Sequence, residues 1–422
     1  MPSLLGGNAL FRGVYCLLSA NQGNAEHCTP VGETIARQGV LPAGLEWLAF
    51  TLAGLAIVML LINVFLLLVM LYTYMERRLL GRFQSRLGPN RTGPLGLLQP
   101  VADAIKLLSK EDTIPEGADR WVFNLAPIVM IVPLLMVLAV LPFGRDSFLA
   151  NINVGILFIF AVTSINTLAM FMAGWASGNR YAMFGGMRAV AQLISYEVPV
   201  LLSVVGILLM VGSMSLIDIV EKQQVPFLLI QPLAFFIFVT ASSAEMNRSP
   251  FDLVEADSEI IAGYHTEYSG MKFGMFQLAE FGAVLVTSGI IATLFLKGWE
   301  GPLLPSHIWF LLKVFLLAFM FIWVRATIPR LRIDQVMAFA WKFLIPLSIV
   351  NMFVIAFEVL LLGTEVNVDG VIHREFTAKS LWIMGGINWG VMVLGIVTFS
   401  QIVSKRTKHT VALGPMPNLE VS

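Results

Sequence analysis

The sequence predicts an all-α polytopic membrane protein, and three observations carry that reading. Of the 422 residues, 57% are hydrophobic and only 13% are charged, against about 25% charged in a soluble domain. The apolar residues lie in runs long enough to cross a bilayer, which takes about 20 residues as a helix. Charge collects in the connections between the runs. The same arithmetic excludes a nucleic-acid binder, an acidic tail protein and a disordered chain.

Candidate spans lie at 47–75, 121–142, 152–175, 189–213, 227–245, 271–296, 306–325, 336–362 and 380–403. The fourth is the weakest, because it contains Glu197 and Pro199. The last is rich in glycine (Gly385, Gly386, Gly390, Gly395), as closely packed membrane helices are. The first 46 residues form an extension; Phe11–Ala20 is apolar but lacks the basic stretch that precedes a signal-peptide core, so it is read as retained. With the N-terminus outside, one side takes most of the 27 basic residues, from Arg77, Arg78, Arg82, Arg86 and Arg91 to Lys405, Arg406 and Lys408. The other takes only Arg12, Arg37, Arg145, Lys222, Lys297, Arg374 and Lys379. This bias predicts a multi-pass membrane protein with its C-terminus in the cytoplasm.

Cys16 and Cys28 then face an oxidising compartment, as a disulfide or as two free thiols. Two cysteines are too few for an iron–sulfur cluster, and the five histidines show no ligand spacing. No metal site is expected, and redox cofactors would come from other chains.

The cytoplasmic connections are long. The first holds five arginines between Glu76 and Arg91, punctuated by Gly88-Pro89-Asn90 and Gly93-Pro94. They serve either as a positive-inside anchor or as a docking surface or polar headgroup site. After them Leu98, Val101, Ile105 and Leu108 recur at helical spacing, opposite Gln99, Asp103, Lys106 and Lys110. That predicts an amphipathic helix on the membrane surface. Asp103 suits a surface salt bridge or a functional contact.

The connection at 245–270 carries Glu245, Asp252, Glu255, Asp257, Glu259 and Glu267. Ser249 to Asp252 reads as a capping box with Pro250 at the first helical position, predicting a short helix from Pro250 to near Gly263. On it Asp252, Glu255 and Glu259 would share one face. Apolar residues between the acids favour a buried proton-handling cluster over a solvated acidic loop. Glu197, Glu280 and Lys313 lie well inside spans, and Glu358 near the outer end of one. A charge deep in a bilayer costs at least about 2.5–3.5 kcal/mol and marks a water-lined or proton-conducting site, unless a Glu–Lys pair holds helices together.

Several of these runs carry a family resemblance. Glu76-Arg77-Arg78, Gly88-Pro89-Asn90 through Gln99-Pro100, Ile194-Ser195-Tyr196-Glu197-Val198-Pro199, Ala244 to Leu253, Ala256 to Tyr268, Trp323-Val324-Arg325 and Pro329 to Gln335 resemble the H subunits of bacterial respiratory complex I, the mitochondrial NADH dehydrogenase subunit 1 family. The resemblance covers about 47–362. It implies an eight-helix core in a proton-pumping NADH:quinone oxidoreductase, with a ninth helix and basic tail over 363–422 and the extension 1–46 added to it. It also implies a quinone substrate, with flavin mononucleotide and iron–sulfur clusters in partner subunits. Peripheral-arm iron–sulfur subunits would meet the cytoplasmic loops, and antiporter-like and small membrane subunits the membrane flank.

Carried over by position, Arg77, Arg78, Arg86 and Asp103 would line the quinone chamber. Glu245, Asp252, Glu255, Asp257, Glu259 and Glu267 would couple it to protons. Glu197, Glu280 and Lys313 would continue the path in the membrane. The related membrane subunit of ion-translocating hydrogenases is the alternative, favoured less because of the basic first loop. A stand-alone transporter predicts internal repeats, which the sequence lacks.

Overall fold

The computed structural model describes residues 46–145, 147–253, 262–368 and 371–411. Cys16, Cys28, Glu255, Asp257 and Glu259 lie outside the described residues. Eight described helices are long and apolar enough to cross a membrane, and the chain is an all-α polytopic membrane protein.

Helix α1, Glu46–Phe83, has 38 residues, or about 57 Å, nearly twice the roughly 30 Å hydrocarbon core. It continues past the apolar run ending at 75 because Met75–Phe83 consists mostly of good helix formers. The first arginines therefore project from a helix, not from a loop as the run lengths suggested. A 3₁₀ turn at Pro94–Gly96 leads into α2, Gln99–Ser109. This is the expected amphipathic helix, with Leu98 (its N-cap), Val101, Ile105 and Leu108 all exposed along one side.

Then come α3 (Arg120–Val140), α4 (Gly155–Thr163) and α5 (Ile165–Ala176), the last two forming one span interrupted at Ser164. Helix α6, Arg180–Val211, follows, with Asn179 capping its first turn. After the short α7 (Leu216–Lys222), the expected span 227–245 divides into α8 (Phe227–Ile230) and α9 (Pro232–Glu245). Pro232 accounts for the break: a residue before proline is driven from the helical region, and Gln231 has ψ 62°. With 14 residues, α9 is only about 21 Å long.

Helices α10 (Gly270–Phe295) and α11 (Ser306–Thr327) precede α12 (Ile333–Phe339), which joins α13 (Ile345–Leu362) through a π-turn at Ala340–Leu344, next to Pro346. A hairpin of β1 (Thr364–Val368) and β2 (Val371–Glu375), Thr364 opposite Glu375, forms the connection between α13 and the last helix. Helix α14, Ala378–Val411, ends the described chain.

No helix starts at Pro250, and 254–261, the rest of the expected helix, lie outside the described residues. Residues 249–253 make turns, and Gly263–His265 is a 3₁₀ turn. Both capping side chains are engaged elsewhere: the Asp252 carboxylate pairs with Arg330 at 2.8 Å, and Ser249 Oγ donates to the Ile328 carbonyl. A charged hydrogen bond to a distant segment outweighs a cap.

Connections sort onto two faces. On the arginine face, Asp119 N donates to Ala176 O (3.1 Å), Asn179 Nδ2 to Glu267 (2.7 Å), and Thr113 lies 2.9 Å from Ser269. On the hairpin face, Ser215 bonds Asn151 at 3.2 Å, and Gln223 bonds the Thr293 and Leu294 carbonyls at 3.0 Å. Helix α6 is the hub: its Tyr196 is fully buried and donates to Val336 O at 2.9 Å.

Candidate functional site

On the arginine face, the loop after α1 folds back on the helix. Gly88 permits this, since a Cβ there would stand 3.0 Å from the Arg78 Cα. The fold-back makes a cleft of about 410 Å³ lined by Arg77, Leu80, Arg86, Leu87, Gly88 and Pro89. Arg77 pairs with Asp103 of α2 at 2.6 Å, and Gln99 also holds Asp103 (3.1 Å). Arg78 turns inward to Tyr74 and the Leu95 carbonyl (2.8 Å), fixing the 3₁₀ turn. Arg86 donates to Gln84 at 2.8 Å. Of the four residues expected together here, Arg77 and Arg86 share the cleft, Asp103 clamps Arg77, and Arg78 braces the loop.

Beneath the cleft is an ion network that sequence reading did not assemble. Glu76, 3% exposed, receives Arg248 at 2.8 Å and also Arg325. Arg248, equally buried, reaches Glu280 of α10 at 3.5 Å, its guanidinium 4.7 Å from the Phe281 ring centroid. The segment of Asp252 is tied in as well: Gln192 Nε2 donates to Ala244 O (2.8 Å) and Phe251 O (2.9 Å). Glu267, by contrast, caps onto Asn179.

The helix break at Ser164 opens a polar cavity of about 70 Å³, room for a few water molecules at about 10–15 Å³ each. Glu197 of α6 and Glu245 of α9 both line it, with Thr163, Ser164, Asn166, Thr167 and Thr287. Ser164 Oγ donates to Glu197 Oε1. Glu280 is one turn from Ala283, which also lines the cavity, and Arg248 is three residues beyond Glu245. Cleft, ion network and cavity are thus successive.

Lys313 stands apart. Its ammonium donates to the carbonyls of Leu296 (2.6 Å), Gly298 (2.9 Å) and Glu300 (2.7 Å), just past the end of α10. Along α10 that is about 22 Å from Glu280. All three N–H donors being engaged, Lys313→Met should lower the protein's stability by about 2–3 kcal/mol, read as a lower unfolding temperature. An unchanged unfolding temperature would mean that these three contacts do not hold the end of α10.

Among the described residues, no group of three or more histidine, cysteine or acidic side chains is arranged to hold a metal ion. Glu76, Arg248 and Glu280 form the ion network, Glu197 and Glu245 line the cavity next to it, and Lys313 and Glu358 stand outside this group.

The model of the NADH dehydrogenase family matches residues 55–356. A relative from Dehalococcoides mccartyi strain CBDB1, named as the H subunit of NADH-quinone oxidoreductase, is 53% identical over 333 residues, covering 79% of this chain and 90% of the relative. A second such H subunit, from Syntrophobacter fumaroxidans, is 48% identical, covering 76% and 99%. The H subunit from Geobacillus kaustophilus is 51% identical, covering 65% and 85%. With the family match reaching from α1 to α13 and enclosing cleft, network and cavity alike, the chain belongs to the NADH dehydrogenase family, alongside the proteins named as H subunits of NADH-quinone oxidoreductase.

Proposed function

We propose that this chain forms much of the quinone-binding chamber of a proton-translocating NADH:quinone oxidoreductase and couples quinone reduction to proton movement. The observation that carries this reading is the continuity of the arginine cleft, the Glu76–Arg248–Glu280 network and the Glu197–Glu245 cavity. Quinone reduction takes two electrons and two protons. The electrons arrive from flavin and iron–sulfur centres of partner subunits, which dock on the arginine face of a bacterial plasma-membrane assembly. Antiporter-like and small membrane subunits take up the disturbance farther along.

In this reading Arg77, Arg78, Arg86 and Asp103 shape the chamber and its mouth. Asp252, with the acids at 255, 257, 259 and 267, responds to the charge on the quinone. Arg248 carries that response to Glu280, because a change in charge near Glu76 alters its balance between two carboxylates. Glu245 and Glu197 then exchange protons across the cavity through water and Ser164. A contiguous polar path of this kind is what coupling through a bilayer requires.

A photoreactive quinone analogue, used on the assembled complex in its membrane, should label peptides within 77–91 or 245–268, and excess quinone should compete. Absence of label from both segments sinks the chamber assignment. Glu280→Gln should assemble normally yet lower quinone reductase activity or proton pumping. Normal values of both in that variant would remove Glu280 from the path.

A further inference from the structure

We propose that Glu358 and Asn388 form a proton-binding site between α13 and α14, separate from the quinone and cavity machinery. One proton there completes a carboxylic acid–carboxamide pair and holds the last helix against the break in the fifth span. Glu358 is 3% exposed and belongs to a buried stripe of α13 with Ser348, Asn351 and Ile355. Opposite it, Asn388 of α14 is fully buried and donates Nδ2 to Glu358 Oε2 at 3.0 Å. The other oxygen of each group, Glu358 Oε1 and Asn388 Oδ1, has no hydrogen-bond partner among the described residues. Both residues lie beyond the family match, which ends at 356.

No cation whose side chain is described pairs with Glu358; those of the hairpin residues 365–375 lie outside the described side chains. Helices α6, α9 and α14 pack against α13, and the π-turn precedes it. A Cβ on Gly206 would meet Ile355, which puts Glu358 near the hairpin-face end of α6. Arg180, Tyr181, Arg188, Tyr196 and Glu197 all precede Gly206 by at least nine residues, or about 14 Å. Glu245 is at the arginine-face end of α9, and Lys342 lies about 24 Å back along the chain from Glu358. Lys379 is exposed, about 14 Å along α14 from Asn388.

An ionised Glu358 would therefore be a buried charge with one amide donor, which costs far more than that hydrogen bond returns. A proton on Oε1 removes the charge and supplies the donor that Asn388 Oδ1 lacks. Asn388 Nδ2 goes on donating to Oε2, so the two groups satisfy each other reciprocally. The proton comes from the aqueous phase on the hairpin face, since Glu358 is only four residues, about 6 Å, from the end of α13.

Occupancy bears on how α14 sits. The residue after Asn388, Trp389, donates Nε1 to Leu229 O at 3.1 Å, at the break between α8 and α9. Gly385 faces the same carbonyl, where a Cβ would stand 3.3 Å away. Loss of the proton would leave a buried charge under this contact and favour lifting α14 from the break.

The test uses the assembled complex in its own membranes and dicyclohexylcarbodiimide, which modifies protonated carboxyls in apolar surroundings. Peptide mass spectrometry should find Glu358 modified at about pH 6 and several-fold less at about pH 9, with no protection by sodium. A benzophenone side chain replacing Leu347, which packs against Gly395, should cross-link to α14 with the same pH dependence. In Glu358→Gln, whose amide supplies the donor permanently, that cross-link should persist at both pH values. The proposal is overturned if Glu358 is unmodified at both, equally modified at both, or protected by sodium. It is overturned equally if cross-linking in Glu358→Gln falls with pH as in the wild type. Should that variant fail to assemble, the modification arm decides alone, because it needs no substitution.

Discussion

Replacing Arg248 with methionine should destabilise the assembled subunit by about 3–5 kcal/mol, the cost of removing one partner from a buried ion pair. Arg248 is 3% exposed and faces two carboxylates, Glu76 at 2.8 Å and Glu280 at 3.5 Å. Without it Glu76 is left with Arg325, whose side chain is 29% exposed, and Glu280 loses a buried cationic partner. The ring of Phe281 loses its cation as well. Lysine is a poor substitute, because a single ammonium has no planar fork to span two acids.

The loss should appear as a lower unfolding temperature of the detergent-solubilised complex and as subunit dissociation on native gels. Adding Glu76→Gln to Arg248→Met should recover part of it, since the charge left behind causes most of the damage. An unchanged unfolding temperature in Arg248→Met would mean that water reaches the network and that it is not the buried link between cleft and cavity.

That network shows where sequence reading stops. The spans were legible because length and apolarity are local properties, and α2 because its stripe repeats within 11 residues. Glu197 and Glu280 stood out as charges inside apolar runs. Glu76 meets the same criterion only once α1 is known to extend to Phe83. By position alone, Arg248 and Arg325 are basic residues at the ends of spans. A basic residue at a span end reads identically whether it faces headgroups or a carboxylate 172 or 249 residues away. The Ser249–Asp252 signal failed for a related reason: Arg330, 78 residues on, claims the carboxylate that the cap would use. The cavity was half legible, because its acids could be named but the break at Ser164 that makes room between them could not.

Glu245→Gln should have the largest functional effect of the cavity substitutions. The glutamine is isosteric and can still hydrogen-bond, so assembly should hold. It cannot take up and release a proton, however, and Glu245 is the cavity acid nearest the ion network, three residues from Arg248. If quinone reduction and proton movement are obligatorily linked, quinone reductase activity and pumping should fall together, by about 10²-fold, as when a positioned acid–base group is lost. Glu245→Asp keeps the carboxyl one methylene short and should recover a measurable part. Glu197→Gln should lower both rates by less, because Glu197 also has the Ser164 hydroxyl as a partner in the cavity. Membrane vesicles energised with NADH decide it, with oxidation followed optically and acidification by a fluorescent dye. Glu245→Gln vesicles that pump at the wild-type ratio and rate would exclude this carboxyl from the path. A variant that reduces quinone at full rate but no longer pumps would show that the cavity lies downstream of a separable redox step.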